Sequence, residues 1–332
     1  MMSPILQRVM LYPLIIIAVI YTVLIVLALR SDGMIFLPQP SSYSDRDLTN
    51  QRIVDGRNVY SNVHTADSPY QMFKLHSGAG NDAHTITALY LPNPDARFTL
   101  LMSHGNAEDI GENRDLYAEY AARGFAVFAY DYRGYGTSTG TPTERGAYAD
   151  ERAAWDYMVN TLHIPPSRII IHGTSVGCGP AVELAAHLST LPPDARVGDA
   201  SSKGSTQGSG AKLNDSSGRP AALVLRSPFR SAFTVLTHVQ ILPWDKFNNA
   251  RLIRKVRMPV LVVHGMADNV IPFAHGQAVF HNAAPIGDQD APLTRDGGKQ
   301  HLWIPNAGHN DIFVIAAQPY FDKLKSFAAQ LP

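Results

Sequence analysis

Between positions 98 and 173, short and wholly apolar runs alternate with longer amphipathic ones. FTLLMS (98–103), FAVFAY (125–130) and RIIIHG (168–173) have the length and residue types of buried strands, whereas 113–123 and 144–161 carry apolar residues at helical spacing. Strand, helix, strand, helix predicts a parallel sheet. ALVLRS (222–227), VLVVHG (260–265) and HLWIPN (301–306) repeat the same character, continuous rather than alternating, as strands covered on both faces require. Upstream, Tyr70–Leu75 and His84–Leu91 flank HSGAGNDA and read as a β-hairpin opening the sheet. The predicted architecture is α/β: a mostly parallel, doubly wound sheet with helices on both faces.

The amino terminus follows a different pattern. Val9–Leu29 is a charge-free stretch of 21 residues, matching the ~20 that a helix needs to cross a bilayer. A cleaved signal peptide would have a shorter apolar core of ~7–15 residues and a small-residue cleavage site, where this chain has LRSDGMIFLPQP. The expected organisation is therefore a tail at 1–8, one transmembrane signal anchor at 9–29, a linker at 30–50 and a folded domain at 51–332, making a single-pass membrane protein. Arg8 and Arg30 flank the stretch almost symmetrically, so the face on which the domain lies stays open. Two polar, glycine-rich insertions, about 199–219 and 286–299, read as flexible loops. The aromatic-bearing region Pro228–Lys255 reads as a small cap.

Composition narrows the function. With 332 residues and 45% hydrophobic content the chain can bury a full-sized core. Lys plus Arg equals Asp plus Glu at 28 each, so no global field draws it to nucleic acid. The single cysteine, Cys178, excludes an internal disulfide. No glycine-rich phosphate loop or ligand-spaced His/carboxylate cluster occurs, and neither metal nor cofactor is expected.

Gly173-Thr174-Ser175-Val176-Gly177 lies between the strand RIIIHG and the helical run GCGPAVELAAHL. In that context G-x-S-x-G places a serine hydroxyl on a sharp strand-to-helix turn, with small residues letting strand and helix approach. A serine needs a base, and the base needs an orienting group. Asp268 follows VLVVHG, and His309 follows HLWIPN, giving the order Ser, Asp, His with each residue at a strand's carboxyl end. Among 13 histidines, His264, His275, His281 and His301 are the near competitors of His309, and Asp311 is the alternative acid. For an oxyanion hole, the amide of Val176 and one in His104-Gly105-Asn106-Ala107, assigned to Asn106, are the candidate donors. Asp131 and Arg133, in YDYRGYGTS, read as braces between loops.

HGNAEDIG, YDYRGYGTSTG, RIIIHGTSVG, LRSPFRSA, VLVVHGMADNVIPFAHG and AGHNDI resemble the α/β-hydrolase fold and, within it, the α/β-hydrolase domain-containing protein 17 branch and its near relatives, over roughly Tyr70 to Leu331. That branch contains thioesterases removing palmitate from membrane-associated proteins, and its neighbours include lysophospholipase-like and monoacylglycerol-cleaving enzymes. The resemblance implies Ser175 as nucleophile, Asp268 as acid and His309 as base. The branch reaches membranes through an amino-terminal cysteine cluster that this chain lacks. The resulting expectation is a membrane-anchored serine hydrolase acting on a lipid ester or an acylated protein. The alternatives are a serine peptidase of the prolyl-oligopeptidase clan and a non-catalytic scaffold. The oligomeric state is unassigned.

Overall fold

The computed structural model describes residues 4–47, 51–54, 57–60, 70–191, 218–237, 245–285 and 298–332. In chain order come helices α1 (Pro4–Leu29) and α2 (Asp32–Ile35), strands β1 (Gln51–Val54), β2 (Arg57–Tyr60), β3 (Gln71–Ser77), β4 (His84–Leu91) and β5 (Thr99–Ser103), then α3 (Arg114–Ala122) and β6 (Ala126–Tyr130). They are followed by α4 (Glu144–Asn160), β7 (Ile169–Thr174), α5 (Cys178–Thr190), β8 (Ala222–Arg226), α6 (Ala232–Thr237) and α7 (Asn249–Leu252). The last are β9 (Val260–Gly265), α8 (Phe273–Asn282), β10 (Lys299–Ile304) and α9 (Ile312–Ala329).

Strands β3 to β10 form one eight-stranded sheet in the order β10-β9-β8-β7-β5-β6-β4-β3, and β1 and β2 pair separately. β4 runs opposite to the other strands of this sheet, pairing antiparallel with β3 and β6. The β3–β4 hairpin and the parallel core thus appear where the pattern predicts them. Consecutive residues of the central strands point to opposite faces, so the apolar runs feed two cores. Leu101, Ile171, Leu225 and Val262 pack with Trp155 of α4 and Leu184 of α5, whereas Leu100, Ile170, Val224 and Leu261 pack with Tyr120 of α3 and Phe321 and Leu324 of α9. α4 begins where Thr143 accepts a hydrogen bond from Gly146 N (2.9 Å) and buries Ala147, Ala154, Trp155 and Met158 against the sheet. β10 lies two residues earlier than the run HLWIPN suggests. Pro305 brings no amide to a ladder, and Asn306 turns the chain at φ 61°. The predicted insertions lie outside the described residues except for 218–219 and 298–299.

Among the described residues no helix is long and apolar enough to cross a membrane. This corrects the reading of 9–29 as a transmembrane anchor.

The stretch that composition marks as a linker at 30–50 is bound into the domain over residues 31–47. Phe36 is 3% exposed and packs edge-on against Tyr132, Tyr135 and Phe247 at centroid distances of 6.3, 6.4 and 5.8 Å. Asp32 accepts from Glu144 N (3.1 Å) and pairs with Lys246 (2.6 Å). Ser42 donates from its amide (2.7 Å) and its hydroxyl (2.5 Å) to Asp109, and Tyr43 donates its hydroxyl to Asp131. A proline- and serine-bearing composition permits a loop, but it does not say whether that loop finds a surface to pack on. Phe36→Ala is expected to destabilise the domain by about 3–5 kcal/mol, as for other buried phenylalanines; an unchanged urea unfolding midpoint would show that this segment is not part of the folded unit.

Candidate active site

The chain leaves β5 for β6 on one side and returns on the other as β7, so the sheet's topological switch lies between β5 and β7. In open α/β sheets, sites gather there, outside the strands' carboxyl ends. Ser175 directly follows β7 and has φ 52°, a left-handed conformation that costs a non-glycine residue energy and persists only where its surroundings impose it. Its surroundings do so through two glycines. A Cβ on Gly173 would lie 2.6 Å from Gly177 O and 2.8 Å from the Ala181 Cβ. A Cβ on Gly177 would fall onto the Ser103 carbonyl and within 2.6 Å of His104 O.

His309 Nε2 lies 2.9 Å from Ser175 Oγ, and His309 Nδ1 lies 2.8 Å from Asp268 Oδ2. The loops carrying Asp268 and His309 are zipped together: Met266 N donates to Ile304 O and Ala267 N to Ala307 O, both at 2.9 Å. Asp268 Oδ1 accepts from Val270 N (2.9 Å) and Ile271 N (2.8 Å). Burial pushes the Asp268 pKa up, but the His309 ring and these two amides outweigh it, and the carboxyl is held below its ordinary value.

The competing residues go elsewhere. His264 Nε2 sits 3.4 Å from Asp268 Oδ2 but bonds to Ile271 O at 2.9 Å, and burial, foremost, keeps its pKa low. His275 Nδ1 accepts from Arg230 N, and His301 stacks on Trp303 at 4.6 Å. Asp311 accepts from Gly308 N (2.6 Å) and so shapes the histidine loop.

Asn106 leaves β5 as predicted, but its side chain faces the amino-terminal segment. Its Oδ1 accepts from Leu37 N (2.9 Å) and Tyr135 OH (2.6 Å), and its Nδ2 donates to Ile35 O (2.7 Å). Gly105 N donates to Glu108 Oε1 and Ala107 N to Asn106 Oδ1, so of the three amides in this turn that of Asn106 is the one without a partner among the described residues. The Val176 amide opens the turn into α5, where helix geometry supplies no acceptor. His104, unassigned by pattern, anchors the turn: Nδ1 donates to Gly105 O (2.7 Å), Nε2 lies 3.1 Å from Asp131, and Tyr132 OH donates to His104 O (2.7 Å). Burial opposes protonation of this ring, but Asp131 together with Glu108 and the Gly105 carbonyl raises its pKa above the ordinary value. Arg133 pairs with Asp150 (3.0 Å) and Asp82 (2.9 Å), away from Ser175.

Ser175 and His309 open into a cavity of about 630 Å³. Met34, Ile35, Leu37, Phe229, Ala232 and Val235 give it an apolar wall, and Glu108, Asn113 and Arg226 also line it. Among the described residues, no group of three or more His, Cys, Asp or Glu could hold a metal ion.

The family described as the alpha/beta hydrolase fold matches residues 99–197. The chain is 34% identical over 241 residues to human alpha/beta hydrolase domain-containing protein 17B, covering 72% of this chain and 68% of the relative. It belongs to the α/β-hydrolase domain-containing protein 17 family. This α/β-hydrolase is also 30% identical over 295 residues to the domain-containing protein aho-3 of Caenorhabditis elegans, covering 88% and 75% of the two chains. A structure of the esterase Pf2001 of Pyrococcus furiosus superposes with a TM-score of 0.58 over 90% of this α/β-hydrolase and 98% of that chain, at 13% identity, a likeness of fold.

Beneath the site, His172 Nε2 meets Tyr320 OH at 2.7 Å, and Tyr320 OH meets Tyr120 OH at 2.7 Å. Burial, with Arg226 adding to it, pushes the His172 pKa down to about 3 from 6.5. The unfolded chain therefore takes up a proton near pH 6.5 that the folded hydrolase refuses until about pH 3. Stability from this residue is complete above that window and falls as pH drops through it. Wild type is expected to lose stability faster than His172→Gln over this interval in urea melts; parallel curves would refute the assignment. Gly177→Ala, by forcing α5 from β5, is expected to cost at least about 1–3 kcal/mol and to abolish labelling of Ser175 by a fluorophosphonate.

Proposed function

We propose that this α/β-hydrolase is a serine hydrolase that transfers an acyl group to water through Ser175, with lipid esters or acyl thioesters of acylated proteins as its substrates. The observation that carries this reading is the hydrogen-bonded chain Ser175–His309–Asp268 at the mouth of an apolar-walled cavity.

His309 Nε2, within hydrogen-bond reach of Oγ, takes the hydroxyl proton as Ser175 attacks the carbonyl, and Asp268 fixes the tautomer and stabilises the imidazolium that forms. The negative oxygen of the tetrahedral intermediate is received by the amides of Val176 and Asn106, preorganised donors that need not reorient. His309 then gives its proton to the leaving alcohol or thiol, and takes another from the water that cleaves the acyl-enzyme. The apolar wall suits an acyl chain, since every methylene buried there contributes about 0.8 kcal/mol to binding. Membership of the domain-containing protein 17 family supports hydrolysis as the class of reaction.

The test is turnover of a palmitoyl-cysteine peptide thioester, a nitrophenyl ester series and a peptide anilide by wild type and Ser175→Ala. Expected are ester and thioester turnover that rises with acyl length and a loss of at least about a thousandfold in Ser175→Ala. Turnover of the anilide alone would refute the acyl-lipid reading, and Ser175-independent turnover would refute the nucleophile.

A further inference from the structure

We infer that Arg226 makes the Ser175 cavity an anion-recognising site, selecting acyl substrates that carry a carboxylate or phosphate near the scissile bond. This deepens the serine-hydrolase reading and rests on it for the placement of the scissile bond, although recognition of the anion does not need turnover.

Arg226 ends β8 beside the strand that delivers Ser175, since its Cα partner in the β7–β8 ladder is Thr174. Its Nε donates to Thr174 Oγ1 at 3.3 Å, and its guanidinium carbon stands 4.6 Å from the centre of the Phe313 ring on α9. A hydroxyl and a ring face thus fix the plane of the group while leaving its remaining N–H donors uncommitted among the described residues. The side chain is half-buried and lines the same cavity as Ser175 and His309.

Several buried groups beside this cation are neutral. Tyr117, Tyr120 and Tyr320 are buried phenols whose pKa values burial raises, with Arg226 close enough to act against that rise. His172 is held neutral by burial and by the same guanidinium. Glu108 shares the cavity, but it accepts the Gly105 amide, and among the described residues no carboxylate forms an ion pair with Arg226. Asp268 is committed to His309 and two backbone amides. An arginine with no ion pair among the described residues, half-buried in the lining of a cavity, gains most from a ligand that brings the negative charge. Its planar fork matches the two oxygens of a carboxylate or phosphate. The rest of the lining is apolar enough for the acyl portion of the same molecule. The substrate class is therefore amphiphilic: an acyl ester or thioester with an anionic group on either side of the reacting carbonyl.

Two matched pairs test this on the full chain: the nitrophenyl monoester of glutaric acid against nitrophenyl valerate, and a lysophosphatidic acid against the monoacylglycerol of equal chain length. Arg226→Gln is expected to lower kcat/KM for the anionic member at least about tenfold more than for its neutral partner, as loss of a charge-assisted hydrogen bond implies. Arg226→Lys should recover part of the difference, and the pair showing the larger effect identifies carboxylate or phosphate. In parallel, binding of heptanoate, hexyl phosphate and heptanol to Ser175→Ala is measured by calorimetry, with and without Arg226→Gln. Anion binding that depends on Arg226 in a protein that turns over neither ester would sink the hydrolase reading and keep this inference. Equal losses on charged and neutral esters, or anions that bind no better than heptanol, would overturn it.

Discussion

The close approach of Gly177 to the Ser103 and His104 carbonyls is the contact on which the mouth of this sheet depends. A methyl group there would collide with backbone, which cannot swing aside as a side chain could. The approach seats the first turn of α5 against β5, holds Ser175 at φ 52° and sets its hydroxyl beside His309. Without it the strained turn would relax into an ordinary strand-to-helix connection and the serine would lose its hydrogen bond to His309. Local strain of this kind is stable because two covered sheet faces, packed with α4 and α5 on one side and α3 and α9 on the other, leave no room for the alternative.

The second support comes from outside the sheet. Residues 31–47 bind the turn after β5 through the Asn106 amide group, through Ser42 on Asp109 and through Tyr43 on Asp131. Asp131 also receives Ile110 N and lies beside His104, so one buried carboxylate joins the amino-terminal segment to the turn that carries the Asn106 amide. Because Met34, Ile35 and Leu37 then form part of the cavity wall, the same segment both rigidifies the site and shapes what enters it. The Asn106 side chain thus serves architecture, while its backbone amide has no partner among the described residues.

Charge is distributed unevenly around the cavity. Asp268 has three hydrogen bonds to it and Arg133 is matched by two aspartates, whereas Arg226 rests on a hydroxyl and a ring above a layer of neutral phenols and imidazole. A cation without an ion pair among the described residues attracts whatever anion fits the pocket.

Sequence by itself determined the α/β class, the strand order of appearance and the membership of Ser175, Asp268 and His309 in one site. Each of these is written locally: apolar runs of strand length, a glycine-flanked serine between strand and helix, and polar residues just past strand ends. His309 could be separated from His264 because only the former lies past the last strand, and the fold agrees by giving His264 to a carbonyl. Contacts between distant segments were not legible. That residues 31–47 are a strap and not a spacer, that Asn106 points its side chain towards that strap, that His104 anchors the turn, and that Arg226 has no ion pair among the described residues all depend on which surfaces meet across tens or hundreds of residues.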